Sequence, residues 1–181
     1  MMRWLILLYG LIAYLLGFAG LIVFILFLGD WWFAPWRING ETTSTAAVAL
    51  AIDTSLLALF GLQHSLMARR PFKRTWTKWI PPAAERSTYV LASGLILIAL
   101  CIWWRPLPGV LWEVENAALA GFILSLQCCG WAIIVVASFT ISHGELFGLR
   151  QVYFHFQGKT APTLEFTERG LYGVVRHPIQ T

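Results

Sequence analysis

Charge is the first shortage in this chain. Asp, Glu, Lys and Arg make up 12% of its 181 residues, about half the share of an ordinary soluble domain. With 58% apolar residues beside it, that scarcity excludes disorder, collagen-like repeats and a solvated coiled coil. A water-soluble globule is excluded too, because so small a body cannot hide that much apolar surface. Cysteine is equally sparse. Cys101, Cys128 and Cys129 all fall in apolar stretches and form no C-x-x-C pair, so no disulfide is expected and buried packing is the default. The four histidines show no H-x-x-x-H or mixed Cys/His spacing, which weighs against a metal or haem site. Internal repeats and low-complexity tracts are missing as well. The chain reads as one domain whose solvent is lipid.

Four long apolar runs carry that reading. Trp4 to Leu28 has no charge over 25 residues, enough at 1.5 Å per residue to cross a hydrocarbon core of roughly 30 Å. It is far longer than the core of a cleaved signal peptide, and no small-residue cleavage site follows it. Ala46 to Met67 holds one charge, Asp53; Thr88 to Trp104 is shorter; Ala117 to Phe139 is of standard length. The expected fold class is an all-α, polytopic transmembrane helix bundle over residues 1–139. Ala13 with Gly17, and Gly121 with Ser125, are small-xxx-small pairs that predict close helix approach.

Lysine and arginine set the orientation. The connection from Ala68 to Ser87 holds Arg69, Arg70, Lys73, Arg74, Lys78 and Arg86, against Arg37 and Arg105 alone in the two other connections. The basic connection is expected in the cytoplasm, with both the amino terminus and the segment after Phe139 on the same side. The net charge of +4 comes from this connection and gives no reason to expect nucleic acid. Pro71 and Pro81 bracket Phe72, Trp76 and Trp79 at helical spacing, with Lys73, Arg74 and Lys78 opposite. That pattern predicts a helix near 71–81 lying in the inner interface.

The informative polar residues are those a bilayer should reject. Asp53 and His64, 11 residues apart, share a face of the second span that must look into the bundle. Asp53 is expected to hydrogen-bond across helices near the outer side. Gln127, midway along the fourth run, reads as packing glue. His64, His143 and His177 fall at or beyond the cytoplasmic ends of helices, and His155 follows in the tail, so polar chemistry is expected at the inner surface. Beyond the fourth run, Thr167 can cap a short helix whose apolar face is Leu171, Val174 and Val175, interrupted at Pro178.

The run from Gly170 through Tyr172 to Arg176, His177 and Pro178 resembles the G-x-Y-x-x-x-R-H-P signature of integral-membrane methyltransferases that use S-adenosylmethionine, the isoprenylcysteine carboxyl methyltransferase superfamily. LQHSLMARRPFK from Leu62, ERSTYVL from Glu85 and HGELFGLRQVY from His143 are similar to the NnrU-like branch, and in it to bacterial methanethiol S-methyltransferases. The resemblance implies methyl transfer from S-adenosylmethionine to methanethiol, in the inner membrane of a bacterium. It implies a cytoplasmic cofactor-binding segment over 140–181, in which Tyr172, Arg176, His177 and Pro178 form the pocket and Leu164, Thr167 and Gly170 shape the approach. Family members continue into a fifth span and an acidic cofactor-binding pair, so the 181 residues alone are expected to fall short of a whole site.

By the same resemblance the reaction is an in-line displacement, in which donor and thiolate are held at near contact and water is excluded. His64, His143 and Glu145 are the candidates to take the thiol proton or position the thiol. Two other readings stay open at this point. A lipid or prenylcysteine acceptor is one, although Gln180 stands where prenylcysteine enzymes carry tyrosine. A non-catalytic membrane subunit is the other.

Overall fold

A computed structural model describes residues 2–110, 112–162 and 170–173. Its elements are α1 (Met2–Leu28), α2 (Ala46–Ala68), α3 (Arg70–Trp76), α4 (Glu85–Trp103), α5 (Ala117–Ile141), α6 (His143–Leu146) and α7 (Leu149–Phe156), with 3-10 turns over Pro82–Ala84 and Gly170–Gly173. No strand occurs among the described residues. Four helices, α1, α2, α4 with its leading turn, and α5, are long and apolar enough to cross a membrane. The chain is a polytopic helical membrane protein. Helix is the state that satisfies every backbone N–H and C=O within one segment when water is absent.

Local chemistry sets the ends. Arg69 turns extended after α2, and Pro71 at the start of α3 supplies a ready helical φ with no N–H to satisfy. Asn116 caps α5 by accepting from the Leu119 N–H at 3.0 Å. The helix anticipated near 71–81 stops at Trp76, where Thr77 donates to the Lys73 carbonyl at 2.8 Å. Trp79 lies past that end and is 82% exposed. Phe72 and Trp76 stack 5.8 Å apart, while Lys73 pairs with Glu85 at 3.5 Å instead of pointing away with Arg74.

Helix α4 lies between α1 and α2. It meets α1 backbone to backbone: a methyl group on Gly17 would stand 2.8 Å from the Val90 carbonyl oxygen, and one on Gly20 would run into the backbone at Gly94. Ala13, fully buried, continues that seam. In lipid this close approach is itself the stabilising term, since apolar burial alone distinguishes little between helix and acyl chain. Gly121, by contrast, has open space around it, so the second small pair packs no helix among the described residues.

Two clusters close the ends of the seam. Phe27, Leu100 and Cys101 are buried together under Trp36, Ile38, Leu56 and Trp104. Beside them Asp53, buried, accepts from the Arg105 backbone N–H at 2.9 Å, which ties α2 to the turn leaving α4. At the other end Ile6, Ala84 and Val152 pack together. Val152 of α7 sits against Gly10, and Phe156 meets Trp4 edge to face with ring centroids 4.4 Å apart. Helix α7 therefore runs along the first half of α1.

Candidate functional site

The turn that follows α5 places the site. Gln127, midway along α5, donates to the Leu28 carbonyl at 3.4 Å, at the end of α1. His143, just past α5, reaches Tyr14, in the middle of α1. The chain then descends through α6 and α7 to Trp4. His143 therefore stands beside the middle of α1, about 18 Å along its axis from Met2, by the 12 residues that separate Met2 from Tyr14. The run from His143 to Phe156 is folded against the bundle, with α7 lying along the first half of α1.

Irregular backbone packed against spanning helices is stable when its polar groups find protein partners. The Ser142 hydroxyl accepts from the Glu145 N–H at 3.3 Å and opens α6. Arg86 Nε donates to the Leu146 carbonyl at 2.9 Å. Gly148 has φ of 83°, and a Cβ there would stand 2.8 Å from the backbone nitrogen of Ser87. Only glycine lets the turn adopt this conformation and press onto the start of α4.

Around His143 the structure assembles an aromatic box from three elements. Phe139 stacks on the imidazole at 4.4 Å, Phe147 lies at 4.6 Å, and Phe18 and Tyr14 present edges at 6.0 and 5.7 Å. Both ring nitrogens are engaged. The Tyr14 hydroxyl is 3.1 Å from Nε2, and Ser138 Oγ is 3.1 Å from Nδ1.

His64 and Glu145 have separate surroundings. Tyr89 Oη sits 2.9 Å from Nε2 of His64 and 3.0 Å from Nδ1, astride the ring edge between them. His64 is exposed but, like Asp53, faces α4 and the turn leaving it, and its neighbour Gln63 bonds Ser93 at 3.3 Å. The Glu145 carboxylate accepts from Gln151 at 2.8 Å and faces Arg150 at 3.5 Å. No hydrogen bond joins His64, His143 and Glu145 to one another among the described residues. What links their surroundings is Arg86, which reaches the Leu146 carbonyl and lies 5.2 Å over the Tyr89 ring.

Of the residues the tail motif singles out, Gly170 and Tyr172 fall in the 3-10 turn that packs against α5. Tyr172 is buried, burial pushes its phenol above the ordinary value, and its hydroxyl meets no partner among the described residues. Leu164, Thr167, Arg176, His177 and Pro178 lie outside the described residues, as do Val174 and Val175. His155 lines a cleft of about 420 Å³ with Arg3, Trp4 and Phe156. Tyr14, Ser138, Tyr89 and Arg86 carry much of this geometry, and sequence reading passed over all four as candidates. A hydroxyl inside an uncharged span was the available signal for Tyr14, one that it shares with Tyr9.

The chain is similar to several curated proteins. It is 40% identical over 179 residues to the methanethiol S-methyltransferase of Mycobacterium tuberculosis, covering 99% of this chain and 73% of that protein. Against that of Crocosphaera subtropica it is 40% identical over 177 residues, with 98% and 69% covered. Methanethiol S-methyltransferase 1 of Bradyrhizobium diazoefficiens is 44% identical over 172 residues, 95% of this chain and 60% of the relative. The chain thus spans between about three fifths and three quarters of the length of these relatives. No family model matches it, and neither does any solved structure.

Proposed function

The chain belongs to the methanethiol S-methyltransferase family, and from that premise we propose that it transfers a methyl group from S-adenosylmethionine to methanethiol, releasing dimethyl sulfide and S-adenosylhomocysteine. The observation that carries the reading is identity of about 40% sustained over nearly the whole chain. The four spanning helices fit the chemistry: methanethiol is small and apolar, and it can enter from lipid or from water.

Tyr172 supports a bound methyl donor: its buried hydroxyl has no partner among the described residues, and burial raises its pKa, so it stays a neutral donor. A ligand, a water or another part of the chain would complete such a group. Gly170 and Tyr172, with Leu164, Thr167, Arg176, His177 and Pro178, would hold the donor in the segment 140–181, in the cytoplasm with the amino terminus. When bound, S-adenosylmethionine supplies a methyl group on a positively charged sulfur. The chain's own part is to hold the thiol in line, exclude water and take up one proton, a task within reach of His64, His143 or Glu145.

The test uses protein expressed from its whole reading frame and purified in detergent. Titration with S-adenosylmethionine should release heat, and addition of methanethiol should then produce dimethyl sulfide in the headspace. Binding without the volatile product would point to another acceptor. No binding at all would favour a non-catalytic membrane subunit.

A further inference from the structure

This inference rests on the thiol methyl transfer proposed above and concerns its proton. An alkanethiol is protonated at neutral pH, and the thiolate is the nucleophile. His143 is the natural acceptor in its neighbourhood, yet both of its nitrogens are closed. The Ser138 hydroxyl has a single hydrogen, and the Val135 carbonyl at 2.8 Å holds it. Ser138 Oγ therefore meets Nδ1 of His143, 3.1 Å away, as an acceptor, so Nδ1 carries the ring proton. Nε2 is left bare, and the Tyr14 hydroxyl 3.1 Å from it must be the donor. One backbone bond within α5 thus sets the direction of the whole chain, from Tyr14 to His143 to Ser138 to Val135.

We propose that Tyr14 takes the thiol proton, while His143 acts through it by accepting the proton that Tyr14 gives up. As sulfur forms its bond to the incoming methyl group, the S–H bond breaks and an O–H bond forms on Tyr14. The original Tyr14 O–H breaks and an N–H forms at Nε2. The positive charge lost from the methyl donor reappears on the imidazole; burial holds that ring's pKa below its ordinary value, and the rings of Phe139 and Phe147, 4.4 and 4.6 Å away, offset part of that cost. The Tyr89–His64 pair has no such direction, because Oη stands equally near both nitrogens.

The test compares two acceptors, methanethiol and the more acidic 2,2,2-trifluoroethanethiol, in wild type, Tyr14→Phe and the control Tyr9→Phe. Tyr9 bonds only Thr88, at 2.8 Å, among the described residues. Tyr14→Phe should lower methanethiol turnover about 100-fold, the low end of what a positioned base contributes. The acidic thiol should lose at most a few-fold, and the affinity for S-adenosylmethionine, read by calorimetry, should hold within about twofold. Tyr9→Phe should leave the ratio of the two thiols unchanged. Nitrogen-15 NMR, assigned through His143→Gln, should show His143 as the Nδ1–H tautomer. Equal losses on both thiols, an unaffected Tyr14→Phe or an Nε2–H tautomer would overturn the proposal while leaving the methyl transfer standing. A wild type that methylates neither thiol would overturn both.

Discussion

Replacing Gly94 by alanine should loosen the seam between α1 and α4 although it adds only one methyl group. The new Cβ would meet the Gly17 backbone, with the Gly17 carbonyl oxygen at 2.9 Å and its carbonyl carbon at 3.1 Å. Backbone cannot rotate out of the way as a side chain does, so the helices must part. Overpacking of this kind costs about 1–3 kcal/mol, set against a gain of about 1 kcal/mol from exchanging glycine for alanine inside a helix. The expected net loss is up to about 2 kcal/mol. Gly130→Ala is the matched control, since nothing lies within 4 Å of a Cβ there, and it should be neutral or slightly stabilising. Reversible unfolding in mixed micelles with increasing SDS, followed by tryptophan fluorescence, measures the difference. Gly94→Ala as stable as Gly130→Ala would show that the backbones of α1 and α4 do not touch there.

Asp53→Ala leaves the Arg105 N–H without its buried acceptor and should cost about 1–3 kcal/mol in the same assay. Asp53→Asn keeps an acceptor and should cost less, and neither should change turnover per folded molecule. Gly148→Ala combines a left-handed φ of 83° with a clash at Ser87; about 1–2 kcal/mol of strain should appear together with a fall in turnover, because this turn seats α6. Tyr172→Phe should weaken S-adenosylmethionine binding about tenfold, the worth of one hydrogen bond, with no loss of fold stability. Unchanged affinity by calorimetry would remove Tyr172 from the donor site.

The four spans were legible because the absence of charge and the length of each apolar run leave a membrane few alternatives, and the observed helices extend those runs by only a few residues at their ends. The partners of His143 were not. ISHGELFGLRQ reads as a polar segment beyond the fourth span, and the structure shows some of that polarity met internally, by Arg86 with the Leu146 carbonyl and Gln151 with Glu145. Tyr14 and His143 stand 129 positions apart, so no local spacing could pair them. Gly121 and Ser125 carry the same small-residue signal as Ala13 and Gly17, yet only the latter pair faces a partner helix. Spacing marks a surface able to pack closely, and the tertiary arrangement decides whether anything fills it.

The most direct measurement supplies the whole-reading-frame protein with methanethiol and S-adenosylmethionine carrying a trideuterated methyl group, and analyses the headspace by mass spectrometry. The account predicts dimethyl sulfide bearing a single CD3 group, formed in proportion to enzyme. Protein that binds the labelled donor but releases no deuterated dimethyl sulfide would contradict it.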